Sequence, residues 1–226
     1  MNYLLNSHGT LLKLLHNGIS QMNQSYSCTT KFQLLSHFKL MWRNKKLFKL
    51  SKYSDFVTLI SKNILESLSI APYIEKRSTI LDAGMSMGLP GIPLAITMPK
   101  SRFILLDNNV KKIKFLQQAC YHLHLNNIQI VHKNIDDYNP DRHQTINAAI
   151  YRHDVGFSHF LSKVQSLLTP GAQVLISKKV FSKNEIEKIK KPFHLVNVHT
   201  LKVPYINDER YLLDIRYNPI PKVAAG

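Results

Sequence analysis

From residue 78 to residue 217, short β-rich apolar runs alternate with stretches whose apolar residues recur every three or four positions. This is the pattern of parallel strands joined by crossover helices. Five strands are predicted at Thr79–Ala83, Arg102–Asp107, Ile128–Val131, Ile146–Tyr151 and Ala172–Ser177. Helices are predicted between them at Leu94–Met98, Val110–His124 and Gly156–Leu168; in the second, Ile113, Leu116, Cys120 and Leu123 make one buried stripe. After a further helix near Asn184–Lys190, the runs Leu195–Leu201 and Tyr211–Tyr217 are close enough in sequence to pair antiparallel and finish a seven-stranded sheet. Ahead of the sheet, Leu34, Leu35, Phe38, Met41 and Trp42 mark an apolar helix face within residues 1–50. Phe56, Leu59, Ile60, Ile64 and Leu68 mark another before Pro72 stops the run. The expected organisation is one α/β domain, with a helical arm over 1–75, a mostly parallel core over 76–218 and a tail over 219–226.

No apolar stretch approaches the ~18 residues that cross a bilayer, so no membrane span is expected. The two cysteines, Cys28 and Cys120, are too few for a disulfide framework or a cysteine zinc site, and they fit a reducing cytoplasm. The start, where Lys13 interrupts Leu11–Leu15, is not read as a secretory signal. Charge changes the picture more. Thirty Lys and Arg face 14 Asp and Glu for a formal charge of +16, which makes nucleic acid the expected partner. No acid precedes Asp55, whereas Lys31, Lys39, Arg43, Lys45, Lys46, Lys49 and Lys52 surround Phe38, Trp42 and Phe48. That stretch reads equally as a phosphate-binding patch or as a solvated helix whose Lys stems cover apolar surface.

The candidate chemistry lies in ILDAGMSMGLPGIP, Ile80 to Pro93, where a strand runs through a glycine turn into a helix start. Such a turn lets a ligand approach the backbone, since Gly has no side chain and adopts positive φ. Gly84, Gly88 and Gly91, with Ser86 between, fail the dinucleotide fingerprint G-x-G-x-x-G, and no Gly-Lys-Ser/Thr follows as a P-loop requires. What remains is a D-x-G-x-x-x-G loop suited to the amino-acid end of S-adenosylmethionine, or a plain connecting turn. Asp107, at the tip of the second strand, is placed to accept both ribose hydroxyls of an adenosine ligand; its alternative role is a helix N-cap. After the third strand, Ile135, Asp136 and Asp137 put a carboxylate where an adenine amino group would lie, again with capping as the alternative.

These segments resemble the bacterial 16S rRNA guanine-N7 methyltransferases, also called the glucose-inhibited division protein B family. ILDAGMSMGLPGIPLAI, RFILLDNNVKKIKFL, NIQIVHKNIDDY, the Arg152 strand end and VPYINDERYLLDI carry the likeness, which spans residues 32–217. The resemblance implies a Rossmann-like class I methyltransferase fold with S-adenosylmethionine as cofactor. It implies methyl transfer to N7 of a guanine in 16S rRNA, with that RNA or the small ribosomal subunit as partner of a cytoplasmic monomer. It places cofactor contacts on Gly84, Gly88, Leu89, Asp107, Ile135, Asp136 and Arg152, and RNA contacts on Lys111, Lys112, Lys178 and Arg210.

No catalytic side chain is expected, because guanine N7 carries a lone pair and no proton at neutral pH, and no metal is expected. His122 and His124, two apart on a helix, face different ways. The triad-like Arg142-His143 and Arg152-His153-Asp154 lack a nucleophile elbow. The chain departs from the family's pattern at Ser86, where members carry Gly, at Asn63-Ile-Leu-Glu66 in place of His-x-x-Asp, and at Tyr151-Arg-His153 in place of Ser-Arg-Ala. A second reading therefore stands beside the first: a catalytically impaired RNA- or ribosome-binding relative on the same fold.

Overall fold

The computed structural model describes residues 8–46, 55–84, 87–140, 144–152 and 156–219. Phe48, Lys49, Lys52, Met85, Ser86, Arg142, His143, His153, Asp154 and nearly all of the expected tail lie outside the described residues. One sheet holds seven strands: β1 (Thr79–Ala83), β2 (Arg102–Asp107), β3 (Ile128–His132), β4 (Ile146–Tyr151), β5 (Leu168–Lys178), β6 (Phe193–Leu201) and β7 (Arg210–Tyr217). Their spatial order is β3-β2-β1-β4-β5-β7-β6. The first five run parallel, and β7 lies antiparallel to both β5 and β6. The order reverses between β1 and β4, which opens a crevice outside the carboxyl ends of these strands, where open α/β sheets bind ligands. This is the Rossmann-like sheet the sequence predicts.

The central strands are buried on both faces, so they read as continuous apolar runs, while their side chains alternate between two cores. Ile80, Phe103, Leu105 and Ile150 enter one core; Leu81, Ile104, Leu106 and Ala149 enter the other. The first core is closed by the N-terminal arm. Helix α1 (His8–Gln21) contributes Leu11, Leu15 and Ile19, and α2 (Cys28–Arg43) contributes Leu34, Phe38 and Met41. Then α3 (Phe56–Ile60), a π-helical turn over Ser61–Leu65 and α4 (Glu66–Leu68) follow without a break. The aromatics of the basic stretch serve this packing: Phe38 is buried and the Trp42 ring lies 4.8 Å from Phe56, with Lys45 Nζ 4.2 Å above it. In its described part, the stretch is a helix to Arg43 followed by a turn, with an apolar inner face.

Four further helices complete the layers: α5 (Gly91–Thr97), α6 (Val110–His122), α7 (Phe157–Val164) and α8 (Lys183–Ile186). The expected helix to Leu168 is cut short, and β5 begins there instead of at Ala172. Pro170 disfavours helical backbone in the residue before it. Strand pairing jumps from Ile146↔Leu168 to Ala148↔Gln173, with Gly171 at φ 81° within the irregularity. Among the described residues no helix is long and apolar enough to cross a membrane, and no cluster of metal-ligating side chains occurs.

Candidate functional site

Strand β1 hands over to Gly84, whose φ of 73° turns the chain while its amide donates to the Leu106 carbonyl at 2.9 Å. The loop is thereby held against the end of β2. There Asp107 is 4% exposed, and it is not the cap of the next helix. That task falls to Asn109, whose side chain accepts from the amides of Lys111 at 3.0 Å and Lys112 at 3.2 Å. Asp107 Oδ1 accepts from the Asn109 amide at 2.8 Å, and Oδ2 from Lys112 Nζ at 2.8 Å. A buried carboxylate thus faces the strand ends with its charge balanced by a half-buried lysine.

A cavity of about 350 Å³ opens at this edge. Of the residues singled out from sequence, Gly84, Asp107, Lys112 and Ile135 line it. Tyr151 and Phe160, their rings stacked at 4.6 Å, form part of the wall, and His159, Asn108, Lys133 and Asn134 also contribute. None of these six was singled out as a site residue. Tyr151 stood next to Arg152 at a strand end that had been marked, whereas Phe160 and His159 offered no signal beyond an amphipathic helix.

Gly88, Leu89, Asp136 and Arg152 are not part of that wall. Gly88 sits at φ 71°, and a Cβ there would lie 2.4 Å from Ile92 Cδ1, so packing against α5 demands glycine. Leu89 and Met87 are both in the core. Asp136 pairs with Lys163 at 2.7 Å on the surface. Arg152 turns toward the arm: its guanidinium donates to the Lys62 carbonyl at 2.6 Å, within the π-helical turn, and meets Glu66 at 3.2 Å.

Two of the four expected RNA contacts are interior. Arg210, 1% exposed, lies 3.5 Å from the same Glu66 oxygen. Lys178, 3% exposed, pairs with Glu185 and has its ammonium 5.2 Å from the Phe157 ring centre. Glu66 of the distant arm pairs with Arg210 and Glu185 of the adjoining α8 with Lys178, so both cations are held inside; Lys111 remains exposed and Lys112 half-buried.

Beneath the loop, Asp82 is 2% exposed and accepts from the Gly91 amide at 2.8 Å, tying β1 to the start of α5. Burial pushes its carboxyl from the ordinary 3.8 up to about 7, against the opposing pulls of the Gly91 amide and the Arg152 charge. Between those two values the folded chain holds a proton that the unfolded chain has lost, so this group's contribution falls as pH rises through the window and is level above it. Asp82→Asn should therefore gain on the wild type from pH 4 to pH 7, by at most about 1.4 kcal/mol per unit. Denaturant midpoints at pH 5, 6 and 7 read this directly; a difference that stays constant across them rules out burial as the dominant influence.

The rRNA small subunit methyltransferase G family matches residues 30–213. The ribosomal RNA small subunit methyltransferase G of Nitrosococcus oceani is 37% identical over 183 residues, covering 81% of this chain and 84% of that protein. The protein of the same name from Marinobacter nauticus is 33% identical over 199 residues, covering 88% and 92%. Among solved structures, coclaurine N-methyltransferase bound to N-methylheliamine and SAH is similar in fold, with a TM-score of 0.54 at 12% identity over 85% of this chain and 73% of that one. The sheet order, the strand-end cavity and these matches agree, and the chain belongs to the rRNA small subunit methyltransferase G family.

Proposed function

We propose that the protein is an S-adenosylmethionine-dependent methyltransferase acting on N7 of a guanine in small-subunit rRNA. The observation that carries this reading is the convergence of Gly84, Asp107 and Ile135 on one cavity at the reversal point of the sheet. The residues present suit the cofactor. Asp107 offers acceptors for ribose hydroxyls; Leu106, Ile135 and the Tyr151–Phe160 pair supply apolar walls for a purine; Gly84 leaves the backbone open to the amino-acid end. When bound, S-adenosylmethionine supplies a methyl group on a sulfonium sulfur, ready for a nucleophile.

The protein's own task is then to bind and align, because the N7 lone pair needs no proton removed. In this reading Gly88 and Leu89 shape the loop, while Asp136 and Arg152 serve through their pairs with Lys163 and Glu66. Lys111 and Lys112 are the RNA contacts, and Lys178 and Arg210 hold the sheet edge together. Deleting the gene and mapping N7-methylguanine in 16S rRNA tests the substrate. One modification is expected to vanish and to return on complementation, and an undisturbed map would exclude this substrate. Calorimetric titration with S-adenosylmethionine tests the class, since the absence of heat at millimolar ligand marks a protein without this cofactor.

A further inference from the structure

The N-terminal arm meets the glycine loop through a hydrogen bond from a buried histidine. His37, on the inner face of α2, is 0% exposed, and its Nε2 lies 2.9 Å from the Met87 carbonyl oxygen. A carbonyl only accepts, so Nε2 carries the ring proton and Nδ1 is left bare, buried without a hydrogen-bond partner. Burial pushes the ring's pKa down to about 4, so His37 stays a neutral donor throughout the neutral range. The residue it holds is an unusual one. Met87 has φ 56° and Gly88 φ 71°, two successive left-handed residues of which the first is not glycine. The Met87 side chain is sunk in the same core as Leu34 and Phe38 of α2. The loop is thus anchored by its side chain in the core and by its carbonyl on His37.

We propose that His37 is a positioning residue for the cofactor loop, which makes the N-terminal arm part of the cofactor site. The inference rests on the reading of this loop as the cradle for the amino-acid end of S-adenosylmethionine. Without the ring's N–H, the Met87 carbonyl is buried with nothing to accept from. The left-handed pair then relaxes toward commoner backbone states, and only the molecules that keep the competent loop bind. The apparent dissociation constant rises by the inverse of that fraction.

The test is calorimetric titration of S-adenosylhomocysteine into the wild type and into His37→Leu, His37→Gln and Met41→Ala, full-length in each case. The glutamine amide reaches about as far as the ring's Nε2 and restores a donor, whereas leucine fills the space without one. Met41→Ala opens space on the same helix while leaving the His37 ring and its donor in place. The leucine variant is expected to bind about tenfold more weakly, equivalent to roughly 1.4 kcal/mol, and the glutamine variant within about twofold of the wild type. Met41→Ala should bind as the wild type does while unfolding at lower denaturant. Should His37→Leu not fold, His37→Asn, whose shorter amide falls short of Met87, takes its place. A wild type that binds beside a leucine variant that binds equally well overturns the inference alone. So does a weakening shared by leucine, glutamine and Met41→Ala, because that reports arm stability and not loop geometry. A wild type that takes up no ligand overturns the reading of the loop, and this inference with it.

Discussion

Glu66→Ala is expected to cost about 3 kcal/mol of folding stability, because truncation leaves the buried Arg210 and the half-buried Arg152 without their shared carboxylate. The Arg152 and Arg210 guanidiniums approach Glu66 Oε1 at 3.2 and 3.5 Å, and the Arg210 side chain is only 1% exposed. Two positive groups brought together around a missing carboxylate repel, and Arg210 cannot recover water without opening the structure. Arg152 keeps the Lys62 carbonyl and Arg210 the Glu209 carbonyl at 2.9 Å, but carbonyls solvate a cation without cancelling its charge. Asp208, 3.7 Å from Arg210 and largely exposed, is the nearest substitute and a weak one. Glu66→Gln should fall between the wild type and alanine, since it keeps the shape and one acceptor. Urea denaturation checks the ordering; an alanine variant within 1 kcal/mol of the wild type would show the cluster to be indifferent to its central charge.

Asp107→Ala should weaken cofactor binding by roughly 1–3 kcal/mol, the worth of one or two hydrogen bonds to a charged acceptor. The effect should be confined to binding. Asn109 caps α6, so the helix keeps its start when Asp107 is lost, and helical circular dichroism should be unchanged. Lys112 loses its partner, yet at 30% exposure it can turn to water. Asp107→Asn retains an acceptor for the Asn109 amide but removes the charge and the oxygen that accepts from Lys112, so it separates these losses from loss of the whole side chain. Titration with S-adenosylmethionine gives the number, and an unaltered affinity in the alanine variant would mean that the ribose is held elsewhere.

The strands most deeply enclosed were the easiest to read. β1, β2 and β4 have the bounds their apolar runs indicate, because helices cover both sides and most positions in each run are buried. The passage from α7 to β5 was not legible, since Leu167 and Leu168 extend the helical stripe in sequence while Leu168 pairs with Ile146 in space. Asp107 was legible as an acid at a strand tip. Tyr151 and Phe160 were not, for their stacking exists only once α7 has folded across β4. Arg210 shows a common blind spot: a sequence displays a charge but not the distant carboxylate, here Glu66, that pairs with it. His37 lies beside the apolar face marked by Leu34, Phe38 and Met41, and nothing near it in the chain points to a carbonyl fifty residues on.

Protein synthesis delivers the arm before the sheet that completes its core. Leu11, Leu15 and Ile19, then Leu34, Phe38 and Met41, leave the ribosome ahead of Ile80 and Phe103, with which they share one core. For that interval these apolar side chains lack the sheet side of their core, and chaperones would find them. Translation pauses between codons 46 and 103 should therefore harm the yield of folded protein more than pauses placed later in the message.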